Sequence, residues 1–237
     1  MSDGHGGTRS ASVLLSVVKD TQKPAAIAPV QVFYNGTSGS TTGNARISWG
    51  GTDTGGTGIG TYKLQVSVNG GAYSTITSAT TATSTTRTLK VNSTYRFRVS
   101  ATDKGGNVGS YAYGPTFKIV RFQNTSTSVH YAGSWHTSSN SNALGGSHRY
   151  TSTAGASVTY TGSFRNVAWI ATKTSSSGSA QVWIDGVLAA TINLRQSTTG
   201  YKKLVYHRDF AALGTHTIQI RSIGGGRVYF DALTILR

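Results

Sequence analysis

The chain has 237 residues, with 22 Lys+Arg against 7 Asp+Glu, a formal charge of +15, and no cysteine. All seven acids are aspartates, and Ser (30), Thr (35) and Gly (30) together supply 95 residues. This composition excludes disulfides, thiolate metal sites and a cysteine nucleophile. It disfavours helices and favours strands and turns, and no stretch reaches the roughly 20 apolar residues of a membrane helix.

In chain order, the first 24 residues combine a strand-like segment, Gly6 to Val18, whose apolar runs Val13-Leu14-Leu15 and Val17-Val18 are interrupted by Ser16, with the polar run Lys19-Asp20-Thr21-Gln22-Lys23-Pro24. Two interpretations stand open. The segment is either the last strand of a preceding sandwich followed by a stiff linker, or a donor strand that adds to the edge of another subunit. A unit from 25 to 120 follows. Ile47 and Trp49 oppose Arg46 and Ser48; Tyr62, Leu64, Val66 and Val68 oppose Lys63, Gln65 and Ser67; Tyr95, Phe97, Val99 and Ala101 oppose Arg96, Arg98 and Ser100. Period-two stripes of this kind bury one face of a sheet. Asn69-Gly70-Gly71 supplies the positive-φ residues of a tight hairpin.

The segments Ile47-Ser48-Trp49, Tyr62 to Val66 and Tyr95 to Asn107 resemble strands B, C and F of a fibronectin type III domain, with Tyr95 as its tyrosine corner. The resemblance implies a spacer or adhesion module and brings no catalytic residues.

The second unit, 121–237, continues the strand series. Val167/Trp169/Ala171 and Ala168/Ile170/Thr172 make a strand apolar on both faces, as expected of a central one. Ala180/Val182/Ile184 oppose Gln181/Trp183 before an Asp185-Gly186 turn. Further alternation runs through Ala190 to Leu194, His216 to Ile220 and Val228 to Ala232. Tyr131-Ala132-Gly133-Ser134-Trp135, Gln181 to Gly186, Leu213 to Thr217 and Phe230-Asp231-Ala232 resemble a jelly-roll, galactose-binding-like module of bacterial exported proteins that handle polysaccharides. That family's longer loop before the last strand is reduced here to Ser222–Arg227, largely glycine.

The fold class expected is therefore all-β, two tandem β-sandwiches. Strand parity sends Trp183, Arg195, Lys203, His207, Arg221 and Tyr229 to the side opposite the core stripes. An aromatic platform flanked by Arg and Lys suits sugar rings that carry acidic groups. Two candidate sites stand open: this sheet face, with Trp183, Arg195, Arg221 and Lys203, and a loop rim with Trp135, His136, Arg149, Tyr150, Tyr201 and Arg208. Catalytic sets are declined. His130, His136 and His148 read as loop residues without a close carboxylate, and His216 as a core residue. His207-Arg208-Asp209 has no nucleophile elbow, and Asp209 has no carboxylate partner for glycoside hydrolysis.

The sequence thus points to a basic, secreted or cell-surface adhesion module, not an enzyme, that attaches to polysaccharide or another anionic surface polymer without cofactor or metal. No membrane insertion and no nucleic-acid partner are expected, the latter because no run of four basic residues occurs. The alternative is a structural protein, a filament, fibre or virion subunit that self-associates through its N-terminal strand.

Overall fold

The computed structural model describes residues 19–237, so the strand-like segment from Gly6 to Val18 and the self-association assigned to it lie outside the described residues. The fold is all-β, with sixteen strands. The first seven are β1 (Ala25–Phe33), β2 (Thr42–Thr52), β3 (Ile59–Val68), β4 (Ser74–Thr80), β5 (Ser84–Lys90), β6 (Thr94–Asp103) and β7 (Ala112–Gln123). They form a sandwich of β1-β2-β5 against β4-β3-β6-β7. Its core holds Ile47, Leu64, Phe97, Val99 and Ile119, all at most 2% exposed. The Tyr95 hydroxyl accepts from Lys90 N at 2.7 Å, which pins the turn before β6.

The next nine are β8 (His130–Ala132), β9 (His136–Ser139), β10 (Ser147–Thr151), β11 (Ser157–Lys173), β12 (Ser179–Ile184), β13 (Val187–Asn193), β14 (Gly200–Ser222), β15 (Val228–Phe230) and β16 (Ala232–Leu236). A small sheet, β15-β10-β9, faces the larger β13-β12-β14-β11 sheet in a jelly-roll-like sandwich. Trp169, Phe164, Phe230, Ile218 and Ile220 fill the space between them. As its two-faced apolarity requires, β11 is interior, paired with β14 on one side and with β8 and β16 on the other.

Strand β7 serves both units. Its first half pairs with β6, and its second half, Ile119 to Gln123, pairs with β16. The large sheet therefore runs from β13 through β7 to β4 without a break. Ala168 and Leu236 of the second unit enter the first core. The Arg121 guanidinium bonds the carbonyls of Gly39, Ser40 and Thr42 and the Thr234 hydroxyl at 2.7–3.2 Å. Asp231, fully buried, receives the Leu144 amide at 3.0 Å.

Three sequence expectations are corrected here. Gln65 and Ser67 are buried, because a second layer of Arg and Tyr side chains lies over their face, while Val68 at the strand end is 40% exposed. Tyr229 is not an outer residue: it packs between His148 and Tyr150, with ring centroids at 4.9 and 5.8 Å. His148 is not in a loop but on β10, buried, with Nδ1 3.1 Å from the Thr172 hydroxyl. Burial lowers its pKa.

Candidate functional site

Alternation on β12 turns Gln181 and Trp183 away from the core while Ala180, Val182 and Ile184 are buried. Cross-strand pairing then sets their neighbours: Trp183 lies opposite Gln219 and Gln181 opposite Arg221 on β14, and Thr159 of β11 lies opposite Gln219. Residues directly opposite on one face sit within side-chain reach. Trp183, Arg221, Gln219, Thr217, Thr159 and Gly186 accordingly line one groove of about 240 Å³. Gln219 Nε2 donates to Thr159 Oγ1 at 3.3 Å, which orients the amide across the floor. Trp183 is half-buried rather than standing in water, and its indole N–H is turned out of solvent without a partner.

The other two residues of the expected face lie elsewhere. Lys203 Nζ donates to Thr37 Oγ1 of the first unit at 2.9 Å and lines a separate groove of about 440 Å³ with Lys173, Asn35 and Gln196. Its side chain is drawn there because Thr37 and Lys203 form a bridge between the units. Arg195 follows β13, where its amide donates to Asn193 Oδ1 at 2.8 Å and its backbone bridges to Thr174.

The expected rim divides in the same way. Trp135 donates to the carbonyls of Ala132 and Ser157 and meets Tyr131 edge-on at 5.2 Å, and Arg149 covers the other part of that ring at 4.2 Å. Burial raises the Tyr131 pKa. His136 and Tyr150 are cross-strand partners 5.4 Å apart, with Arg227 over Tyr150 at 4.7 Å. Arg149 and Tyr150 are successive strand residues, so these two clusters occupy opposite faces of β10. Tyr201 and Arg208 sit instead on β14, Arg208 opposite Val167 and 5.9 Å from the Phe210 ring.

Asp209, expected to lack a carboxylate partner, is met instead by an amide and an imidazole. Asn166 Nδ2 donates to it at 2.6 Å, and His207 Nδ1 lies 3.6 Å away. Asp209 raises the His207 pKa. Burial pushes Asp209 up, but His207 and Asn166 outweigh it and hold the carboxyl low. Such a pair can hold and move a proton. His207 and Asp209 share a face of β14 as alternate residues, and cross-strand register adds Asn166. His216 packs flat on Phe210 at 3.7 Å and bonds Asp185 at 2.8 Å, a role the parity argument missed. The Thr217 amide first and His216 second hold the Asp185 carboxyl below its usual range.

The residues able to share a cation, among those described, are Asp20, Asp53 and Asp103, each offering one oxygen within 4.8 Å of the others. Protein donors already engage them: Thr57 N–H to Asp20 at 2.7 Å, Gly58 N–H to Asp53 at 2.7 Å, and Asn107 N–H to Asp103 at 2.8 Å.

No family model matches the chain. A curated relative, the A type blood N-acetyl-alpha-D-galactosamine deacetylase of Flavonifractor plautii, is 34% identical over 113 residues, which cover 46% of this chain and 14% of that protein. Among solved structures, a family two carbohydrate esterase from Cellvibrio japonicus is 17% identical with a TM-score of 0.40, covering 51% of this chain and 34% of the other. The CBM36-1 domain of a multidomain xylanase from the hindgut metagenome of Trinervitermes trinervoides is 16% identical with a TM-score of 0.35, covering 50% of this chain and 96% of the other. The expectation that the chain is not an enzyme is corrected by the curated relative, which is named as a deacetylase and of whose length this chain matches 14%.

Proposed function

We propose that the chain recognises carbohydrate through the Trp183 groove and that it belongs to a protein that modifies carbohydrate, in the manner of a deacetylase. The observation that carries this reading is the register-enforced meeting of Trp183, Gln219 and Arg221 on one open groove. An indole face suits the C–H face of a pyranose, and an amide and a guanidinium supply directional donors to its hydroxyl, amide or acidic substituents. The kinship with a protein named for acting on an N-acetylated sugar supports the same ligand class. An acidic glycan is the finer proposal, because Arg221 makes no ion pair among the described residues. On this reading the protein works at or outside the cell surface, and the fibronectin-like unit carries the jelly-roll-like unit.

A glycan array read at low and high salt tests this. Binding that falls by about tenfold or more in Trp183→Ala, a loss of about 1.4 kcal/mol, and weakens with salt is expected. A blank array, or equal binding by Trp183→Ala, overturns it. Release of acetate from N-acetylated oligosaccharides by the full protein tests the catalytic association.

A further inference from the structure

We propose that the outer face of the β3–β6–β7 sheet, on the first unit, is a second ligand surface and takes an acidic polysaccharide. Its centre is one cross-strand row, Thr75–Gln65–Arg98–Tyr113, set by register and joined by hydrogen bonds. Gln65 Nε2 donates to Thr75 at 3.0 Å, Arg98 Nε donates to Gln65 Oε1 at 2.8 Å, and Arg98 Nη1 donates to the Tyr113 hydroxyl at 3.1 Å. The guanidinium also lies 3.9 Å from the Tyr73 ring centroid and 4.1 Å from that of Tyr111. One half-buried arginine on the outer face thus fixes three tyrosines on the surface, so a ligand that stacks there has little side-chain freedom to freeze out.

The binding capacity lies in the next row. Arg96 is exposed, leans on Tyr113 at 4.9 Å and spends Nε on the Gly114 carbonyl at 3.3 Å. Its two terminal amino groups have no protein acceptor among the described residues. Between Arg96 and Tyr73 runs a groove of about 330 Å³ floored by Ser67, Thr94 and Thr116 and closed by Gly70 and Gly71 of the hairpin. The combination of an aromatic wall, a hydroxyl-lined floor and a free planar cation matches a pyranose bearing a carboxylate or sulfate.

Charge placement names the sign of the ligand. Lys63 shares this face, and none of the three cations forms an ion pair among the described residues. Asp103 lies seven residues along β6 from Arg96, roughly 23 Å away at about 3.3 Å per residue. The acids of the unit thus cluster at one end of the sheet and the free guanidinium at the other.

This surface is separate from the Trp183 groove, and the test keeps the two apart. Polygalacturonate, with neutral dextran as control, is titrated against the chain carrying Trp183→Ala and then against the same chain with Arg96→Gln added. Residual salt-sensitive binding in the first, weakened about tenfold or more in the second with an unchanged melting temperature, is expected. Tyr73→Ser, which removes the wall without touching a charge, should weaken it comparably. Loss of all acidic-polysaccharide binding with Trp183→Ala alone, or less than about a twofold change on adding Arg96→Gln, overturns the second surface. So does tighter binding of single-stranded DNA than of polygalacturonate. The Trp183 proposal fails independently, by Trp183→Ala changing nothing in the parent chain.

Discussion

In the first unit the arginines of β6 lie on the surface, laid against tyrosine rings and reachable by solvent, whereas at the seam and in the second unit Arg121 and Asp231 are drawn inside. The difference follows from what surrounds each group. Over β6 the aromatic layer supplies attraction without removing the whole cation from water, so the charge costs little. At the seam two sheets converge, and a charge there must be met by fixed partners. Desolvation lowers the Arg121 pKa to about 10, with Asp231 pulling the other way, and desolvation raises that of Asp231 to about 7 against the Leu144 amide, Arg121 and Lys202. Surface charge in this protein is therefore available to a ligand, and buried charge is committed to the join.

The sharpest way to break that contrast is pH. Asp231 keeps its proton in the folded chain to about pH 7 but would release it near 3.8 when unfolded. The folded state thus binds this proton more tightly, and the Asp231 contribution to stability is greatest below about pH 4, falls as pH rises toward 7 and is level above. The expected loss is on the order of 4 kcal/mol. Asp231→Asn keeps an acceptor for Leu144 N–H and should flatten the slope in urea titrations run at several pH values. An unchanged slope would refute the assignment. Next in size, Arg121→Ala leaves the carbonyls of Gly39, Ser40 and Thr42 without their donor and should cost about 3 kcal/mol. The same variant should split a single denaturation transition into two.

Arg98→Gln addresses the other half of the contrast. It removes two close cation–π contacts and should lower stability by about 1–2 kcal/mol while loosening Tyr73 and Tyr111, visible as sharpened, averaged ring resonances. Smallest, Tyr95→Phe deletes the hydroxyl that receives Lys90 N–H, for about 1 kcal/mol in chemical denaturation. A loss for Arg98→Gln below that of Tyr95→Phe would mean the tyrosines hold themselves.

Period-two patterning made most of β2, β3, β6, β11 and β12 legible, because burial of one face is written into alternate residues. The turns at Asn69 and Asp185, with φ of 52° and 51°, were legible from their Asn-Gly and Asp-Gly pairs. Strands β8, β9 and β10 were not, since their Ser, Thr and His residues carry no apolar alternation and gain strand form from long-range pairing. The sharing of β7 was hidden for the same reason: nothing in Ile119-Val120-Arg121-Phe122 distinguishes a strand that changes partners from one that ends. At the candidate site, parity placed Trp183 and Arg221 on one side but could not exclude Arg195 and Lys203, whose positions depend on loops and on the first unit. The Arg98 stack did leave a trace. Arg96/Arg98 and Tyr111/Tyr113 are two i, i+2 pairs on segments that turn out to be adjacent, and reading them together would have found it.

The continuity of β7 has a mechanical consequence. A swivel between the two halves would have to tear the backbone ladder on one side of residue 119 or the other. The first sandwich is thus a lever rigidly attached to the second, not a tether, and whatever holds one of them fixes the angle at which the other meets its target.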